Sequence, residues 1–182
     1  MRWLSAAVLG LGVAAAGGCG FRPIYASLPD TTSVTSQMAQ VKVEQIDYNA
    51  SQASKLFRLG QELHNALLAR INPDGTPAKA AYAVRVRLTE SQSDIAVDPS
   101  GLSQRSSILE TATFKLVSLS DGKSLMDGTS TGINSFGNVT NAYATVEGRN
   151  DARQRAIAFI ADDIATRVAL YFRREPEAKE AK

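Results

Sequence analysis

Ser120-Asp121-Gly122-Lys123 is the stretch whose reading decides the fold. An Asp-Gly pair supplies the positive φ angles that a tight hairpin requires. Extended sequence flanks it, from Ser106 to Leu119 on one side and from Ser124 to about Gly137 on the other. The two arms therefore pair antiparallel. On the first arm Ile108, Ala112, Phe114 and Leu116 mark an inward face. Leu109, Val117 and Leu119 fall out of that phase, which predicts contacts on both faces. The second arm is rich in Thr, Ser and Gly and is individually weak.

Outward from the hairpin, Ser91 to Ser103, with Asp98-Pro99-Ser100-Gly101, reads as a polar connection to an earlier strand. In that strand Tyr82, Val84, Val86 and Leu88 alternate with Arg85, Arg87 and Thr89, the pattern of a half-buried antiparallel element. Further back the period changes. Leu56, Leu59, Leu63, Leu67 and Ile71 recur at three-and-four spacing, which predicts an amphipathic helix from Asn49 to Ile71. Asn49 or Ser51 caps its start, and Asn72-Pro73-Asp74-Gly75 stops it. Before it, Val41 and Val43 alternate with Lys42 and Glu44 in a short strand from Gln40 to Asp47. There Ile46 breaks phase and implies a bulge near Gln45. After the hairpin a long helix runs from about Asn141 to Arg174, with Ala156, Ile157, Ile160, Ile164, Val168 and Tyr171 as its stripe and Gly148 as a break in its opening turns.

The order is β-α-β-β-β-α. It predicts an α+β, two-layer sandwich in which a four-stranded mixed sheet carries two amphipathic helices on one face. Residues 40–174 form this single domain, 19–39 an extended tether rich in Pro, Thr and Ser, and 175–182 a charged, disordered tail.

Composition narrows the function. Lys plus Arg number 20 against 18 Asp plus Glu, so no global field draws the chain to nucleic acid. The single cysteine excludes an internal disulfide, and His64 is the only histidine, which leaves metal catalysis without its commonest ligands. No metal and no cofactor is expected. Gly128-Thr129-Ser130-Thr131-Gly132 spells the nucleophile elbow of serine hydrolases. It falls inside a hairpin arm, however, and the histidine precedes it, whereas the elbow needs a strand turning into a helix with the histidine following. Asp162 and Asp163 are helix neighbours about 100° apart, a solvated face and not an acid/base pair. Asn138-Val139-Thr140 is a glycosylation sequon by letter alone. These readings give no catalytic set.

At the N-terminus, Arg2 precedes an apolar core from Trp3 to Ala16, then Gly17, Gly18 and Cys19. The core is shorter than the roughly 20 residues that span a bilayer, so residues 1–18 read as a cleaved export signal. Small residues directly before the sole cysteine resemble a lipoprotein signal, which makes Cys19 the lipidated, palmitate-bearing first residue of the mature chain. A larger aliphatic residue usually stands three positions before that cysteine; here it is Ala16. Cleavage after Ala14-Ala15-Ala16, releasing a soluble chain, is the other reading of the same residues. By resemblance, Gly20 after the cysteine favours the outer membrane.

Arg85 and Arg87 project to one side of their strand about 7 Å apart, and Lys79 precedes them. Such a pair suits the phosphates of an anionic glycolipid, which makes Arg85 and Arg87 the candidate lipopolysaccharide contacts. An ordinary solvated strand face is the other reading. Cys19-Gly20-Phe21-Arg22-Pro23-Ile24-Tyr25 resembles the mature start of the LPS-assembly lipoprotein LptE family of alphaproteobacteria, and length, element order and the Arg-rich closing helix are similar too. The resemblance implies a non-enzymatic protein, lipid-anchored in the outer membrane on the periplasmic side. It would sit in the lumen of the LptD β-barrel as plug and assembly partner in lipopolysaccharide transport. From a different class comes the alternative of a free-standing periplasmic lipoprotein that carries an apolar ligand between helices and sheet, which requires a sizeable apolar cavity.

Overall fold

The computed structural model describes residues 34–48, 52–77, 79–97 and 103–180. Its elements are α1 (Val34–Met38), β1 (Val41–Val43), β2 (Asp47–Tyr48), α2 (Ala53–Ile71), β3 (Tyr82–Val97), β4 (Ser103–Ser118), β5 (Ser124–Gly137) and α3 (Ala142–Glu180). The signal segment, Cys19, the first part of the expected tether and the Asp98–Gly101 turn lie outside the described residues, as do Asn49 and Ser51.

The sheet runs β1-β3-β4-β5, and β2 joins β3 on the same side as β1. β1 and β2 are parallel to β3, in the registers Val41↔Tyr82 and Asp47↔Arg87. β3, β4 and β5 form an antiparallel meander. The mixed α+β sheet with its covering helices is thus as expected, with one refinement. The first strand is two short pieces interrupted at Glu44–Ile46, where Ile46 turns into the core at 4% exposure.

The deciding turn forms a hairpin as expected, but through the five residues 119–123, and of the Asp-Gly pair only Gly122 takes positive φ. Gly122 takes φ 70°, Ser118 N donates to Lys123 O at 2.9 Å, and Gly122 N donates to Ser118 O at 2.9 Å. A register shift between Leu116 and Val117 accompanies it. Other boundaries differ from the sequence reading. The polar stretch after Leu88 continues as strand to Val97 and pairs with the start of β4, because backbone ladders persist where no helix imposes alternation on the side chains. Val34–Met38, assigned to the tether, is a short helix whose Met38 is buried against the core. The N-cap of α2 is Gln52, without a side-chain capping bond. Its Nε2 instead donates to the Glu90 carbonyl at 2.9 Å and ties the helix start to β3. α3 passes through Gly148 unbroken, and its backbone stays helical past Arg174 to Glu180. Asn141 caps it, its Oδ1 accepting from Tyr143 N at 3.0 Å and Ala144 N at 3.3 Å.

The core lies between the helices and one sheet face. Leu56, Leu63 and Leu67 of α2 and Ile160, Ile164 and Phe172 of α3 meet Leu88, Phe114 and Leu116, all fully buried. The expected Tyr171 is only half-buried; Phe172 takes the inward position and packs on Tyr82, ring centroids 5.0 Å apart. α3 rests on β5 at its closest where Gly132 faces Ala156. A Cβ on Gly132 would lie 2.9 Å from the Ala156 Cα and carbonyl oxygen, so only glycine admits the helix. Gly132→Ala is expected to destabilise the fold by roughly 1–3 kcal/mol through overpacking, measured as a lowered urea midpoint. Gly137→Ala, with nothing within 4 Å of its added methyl, serves as the reference and stays within about 0.5 kcal/mol of the parent.

Candidate functional site

With both helices on one side, the other face of β3, β4 and β5 has no described element over it. Its rows follow from the register: Arg85, Lys115 and Asp127; then Arg87, Thr113 and Thr129; then Thr89, Thr111 and Thr131; then Ser91, Leu109 and Ile133. The face is hydroxyl-rich, cationic toward its β1 end and apolar around Leu109 and Ile133. Ile133 is 67% exposed, the most open aliphatic side chain of the sheet among the described residues.

The two candidate arginines stand together on this face, each engaged with the neighbouring edge. Arg85 donates from Nε to Glu44 Oε2 at 2.9 Å and from Nη2 to Oε1 at 3.4 Å. Arg87 donates from Nε and Nη2 to Asp47 Oδ2 at 2.9 and 2.6 Å. These bonds raise the Arg85 pKa above its ordinary value and hold the Asp47 carboxyl below its own, the Arg87 hydrogen bond being the main cause for Asp47. Arg85, Arg87 and Asp47 are solvent-exposed and Glu44 is half-buried, so each pair adds little to stability and its carboxylate is exchangeable for another anion. Lys79 is exposed as well.

The helix-facing side carries a polar belt absent from the sequence reading. Glu90 and Glu110 are directly opposite across β3 and β4, 5% and 0% exposed. Arg153 of α3 reaches Glu90 through Nε at 2.6 Å and Nη2 at 2.9 Å, a bidentate pair whose carboxylate is fully buried and whose guanidinium is partly so. The Glu90 hydrogen bond, with further help from the charges of Glu110 and Glu62, outweighs desolvation and raises the Arg153 pKa. Beyond the belt Ile108, Phe136 and Ala152 form a second, small apolar cluster. Parity could have revealed the belt. Glu90 continues the inward phase of Val84, Val86 and Leu88, and Glu110 sits between Ile108 and Ala112 in theirs.

Ser130 lies mid-strand in β5 and is 1% exposed, so no strand-to-helix elbow forms around it. His64 is at the opposite edge, its Nδ1 3.2 Å from the Glu44 carbonyl oxygen. Asp162 pairs with Arg70 and Asp163 with Arg167, which keeps the two carboxylates apart as expected. His64 also lines a cleft of about 310 Å³ with Ile46, Tyr48, Phe57 and Gly60, between α2 and the β2 edge. This cleft opens at the rim of the sandwich. Among the described residues, core side chains occupy the space between helices and sheet.

No protein-family model and no curated protein matches the sequence. Solved structures share the fold. A protein of Caulobacter crescentus CB15, provisionally described as a lipoprotein, aligns with TM-score 0.58 at 16% identity, over 78% of this chain and 96% of its own. Protein XCC0632 of Xanthomonas campestris aligns with TM-score 0.51 at 11% identity, over 76% of this chain and 88% of that one. The rare lipoprotein B of Shewanella oneidensis aligns more loosely, with TM-score 0.47 at 14% identity, over 76% and 100%. At these identities the likeness concerns the fold.

Two outcomes follow from this geometry. Arg153→Ala removes the bidentate guanidinium from the buried Glu90 carboxylate and is expected to cost about 3–5 kcal/mol in chemical denaturation. For Asp47, a carboxyl held low in the folded state stabilises above its unfolded pKa, and that contribution fades as pH falls through the folded value. In Arg87→Ala the Asp47 titration midpoint, read by carboxyl NMR, moves up toward the ordinary carboxylate range.

Proposed function

We propose that this chain is an outer-membrane lipoprotein of the LptE type, anchored through Cys19. It acts by contact as the plug and assembly partner of the LptD barrel in lipopolysaccharide transport. The observation that carries the reading is the run Cys19-Gly20-Phe21-Arg22-Pro23-Ile24-Tyr25 behind an export signal. The architecture supports it. Core side chains pack between helices and sheet among the described residues, and the open sheet face presents hydroxyl groups and cations suited to a polar barrel wall. On that face Arg85 and Arg87 are placed to take phosphate groups of lipopolysaccharide, exchanging Glu44 and Asp47 for them. The carrier alternative would use an open cleft at the rim of the sandwich, such as the one of about 310 Å³ beside Phe57 or the one of about 290 Å³ beside Met38 and Ile71.

Mild detergent extraction of native membranes, affinity capture and intact-mass measurement test the reading. A large β-barrel at one-to-one stoichiometry and a lipid-shifted mass starting at Cys19 are expected. Cys19→Ala is expected to lose the lipid mass and the barrel-bound fraction together. A solitary chain beginning at Gly17 contradicts both anchor and partnership.

A further inference from the structure

The cleft of about 310 Å³ between α2 and the β2 edge lies apart from the open sheet face, and its lining has a chemistry of its own. Phe57, Gln61 and Asn65 follow one another at four-residue steps, so they share about 80° of the α2 surface. Phe57 is 52% exposed, whereas aromatic side chains ordinarily spend their area in cores. The neighbouring charges of α2, Arg58 and Glu62, pair with each other at 3.8 Å and stand outside the lining. Gln45 and Tyr48 come from the sheet edge. Tyr48 lies against the helix where Gly60 has no side chain, since a Cβ there would be 3.5 Å from the Tyr48 ring. Among the described residues the cleft is therefore lined by aromatic rings, carboxamides and one imidazole, with no carboxylate, lysine or arginine.

The polar groups of this lining are available. Among the described residues the side chains of Gln45, Gln61 and Asn65 hydrogen-bond to no other residue. His64 Nδ1 lies 3.2 Å from the Glu44 carbonyl oxygen, which can only accept. The proton therefore sits on Nδ1, and the neutral ring keeps Nε2 as an acceptor.

We infer that this cleft is a binding site for an uncharged pyranose unit of a glycan, its C–H face resting on Phe57 and its hydroxyls bonding Gln45, Gln61, Asn65 and His64. The face of an aromatic ring carries negative π charge and attracts weakly positive C–H groups. Carboxamides both donate and accept, as does each hydroxyl of a sugar. A lining without ions gives a phosphate or carboxylate no partner, which sets this cleft apart from Arg85 and Arg87. An acyl chain would cover the carboxamides without bonding them. The cleft of about 290 Å³ beside Met38 has a different lining, with Arg70 and Asp74 and no aromatic residue. Only residues 45–65 take part, so the site is independent of the anchor and the barrel.

His64 is the only histidine of the chain, so its imidazole signals report on this cleft alone. The full chain, extracted in a detergent without a sugar headgroup, is titrated by NMR with two neutral probes. One is an N-acetylglucosamine oligosaccharide, the chemistry of a wall glycan; the other is a glucose oligosaccharide, that of an unmodified polysaccharide. A saturable shift of the His64 signals with one of them is expected, and the probe that produces it names the source. The affinity is expected to change by less than about twofold between low and high salt, because no ion takes part. Phe57→Ala is expected to raise the Kd about tenfold and Asn65→Ala about fivefold. Phe159→Ala removes a comparably exposed ring from α3 and is expected to leave the Kd within about twofold of the parent. No saturable shift with either sugar, binding that Phe57→Ala does not weaken, or tighter binding of a glucuronate oligosaccharide of the same length overturns the inference.

Discussion

α3 lies so close to β5 that a methyl group on Gly132 would overlap Ala156, and much of the architecture depends on that approach. It seats the long helix over the weakest strand of the sheet, one whose Thr, Ser and Gly side chains could not hold it in place unaided. It brings Arg153 within reach of Glu90 and sets Phe172 on Tyr82 at the far end of the same helix. α2 then packs alongside on the same face. With both apolar stripes spent on one side, the reverse side of the sheet is left as surface.

Charge divides along the same plane. The pair of Glu90 and Arg153 is largely shielded from solvent, so its charge-assisted bonds act in a low-dielectric setting and are costly to remove. On the open face Arg85 and Arg87 engage Glu44 and Asp47 within reach of solvent, where each contact is weak and replaceable. A rigid, internally balanced side and an exchangeable outer side are what a protein working through contact needs.

Much of this was legible in the sequence because it rests on period and turn chemistry. The Asp121-Gly122 turn, the stripe from Leu56 to Ile71 and the alternation from Tyr82 to Leu88 each encode their element locally. What escaped depends on distant partners. The extension of β3 to Val97 is carried by backbone pairing with β4, which side-chain polarity does not report. The role of Arg153 was hidden because a helical arginine reads as solvated until the strand beneath it is known. α1 was masked by the Thr and Ser around it, though Met38 gave an apolar hint. Arg85 and Arg87 were correctly set side by side, but their acidic neighbours, Glu44 just after β1 and Asp47 on β2, lie some forty residues earlier in the chain, beyond any local pattern.

The central claim is that the chain meets its partner with the sheet face that the helices leave open. Site-specific photo-cross-linking in native membranes tests it directly, with the probe placed at Thr113 on that face or at Gln61 on the exposed side of α2. The account predicts that Thr113 captures a large β-barrel while Gln61 gives markedly less product. Equal capture from both positions, or capture from Gln61 alone, would contradict it.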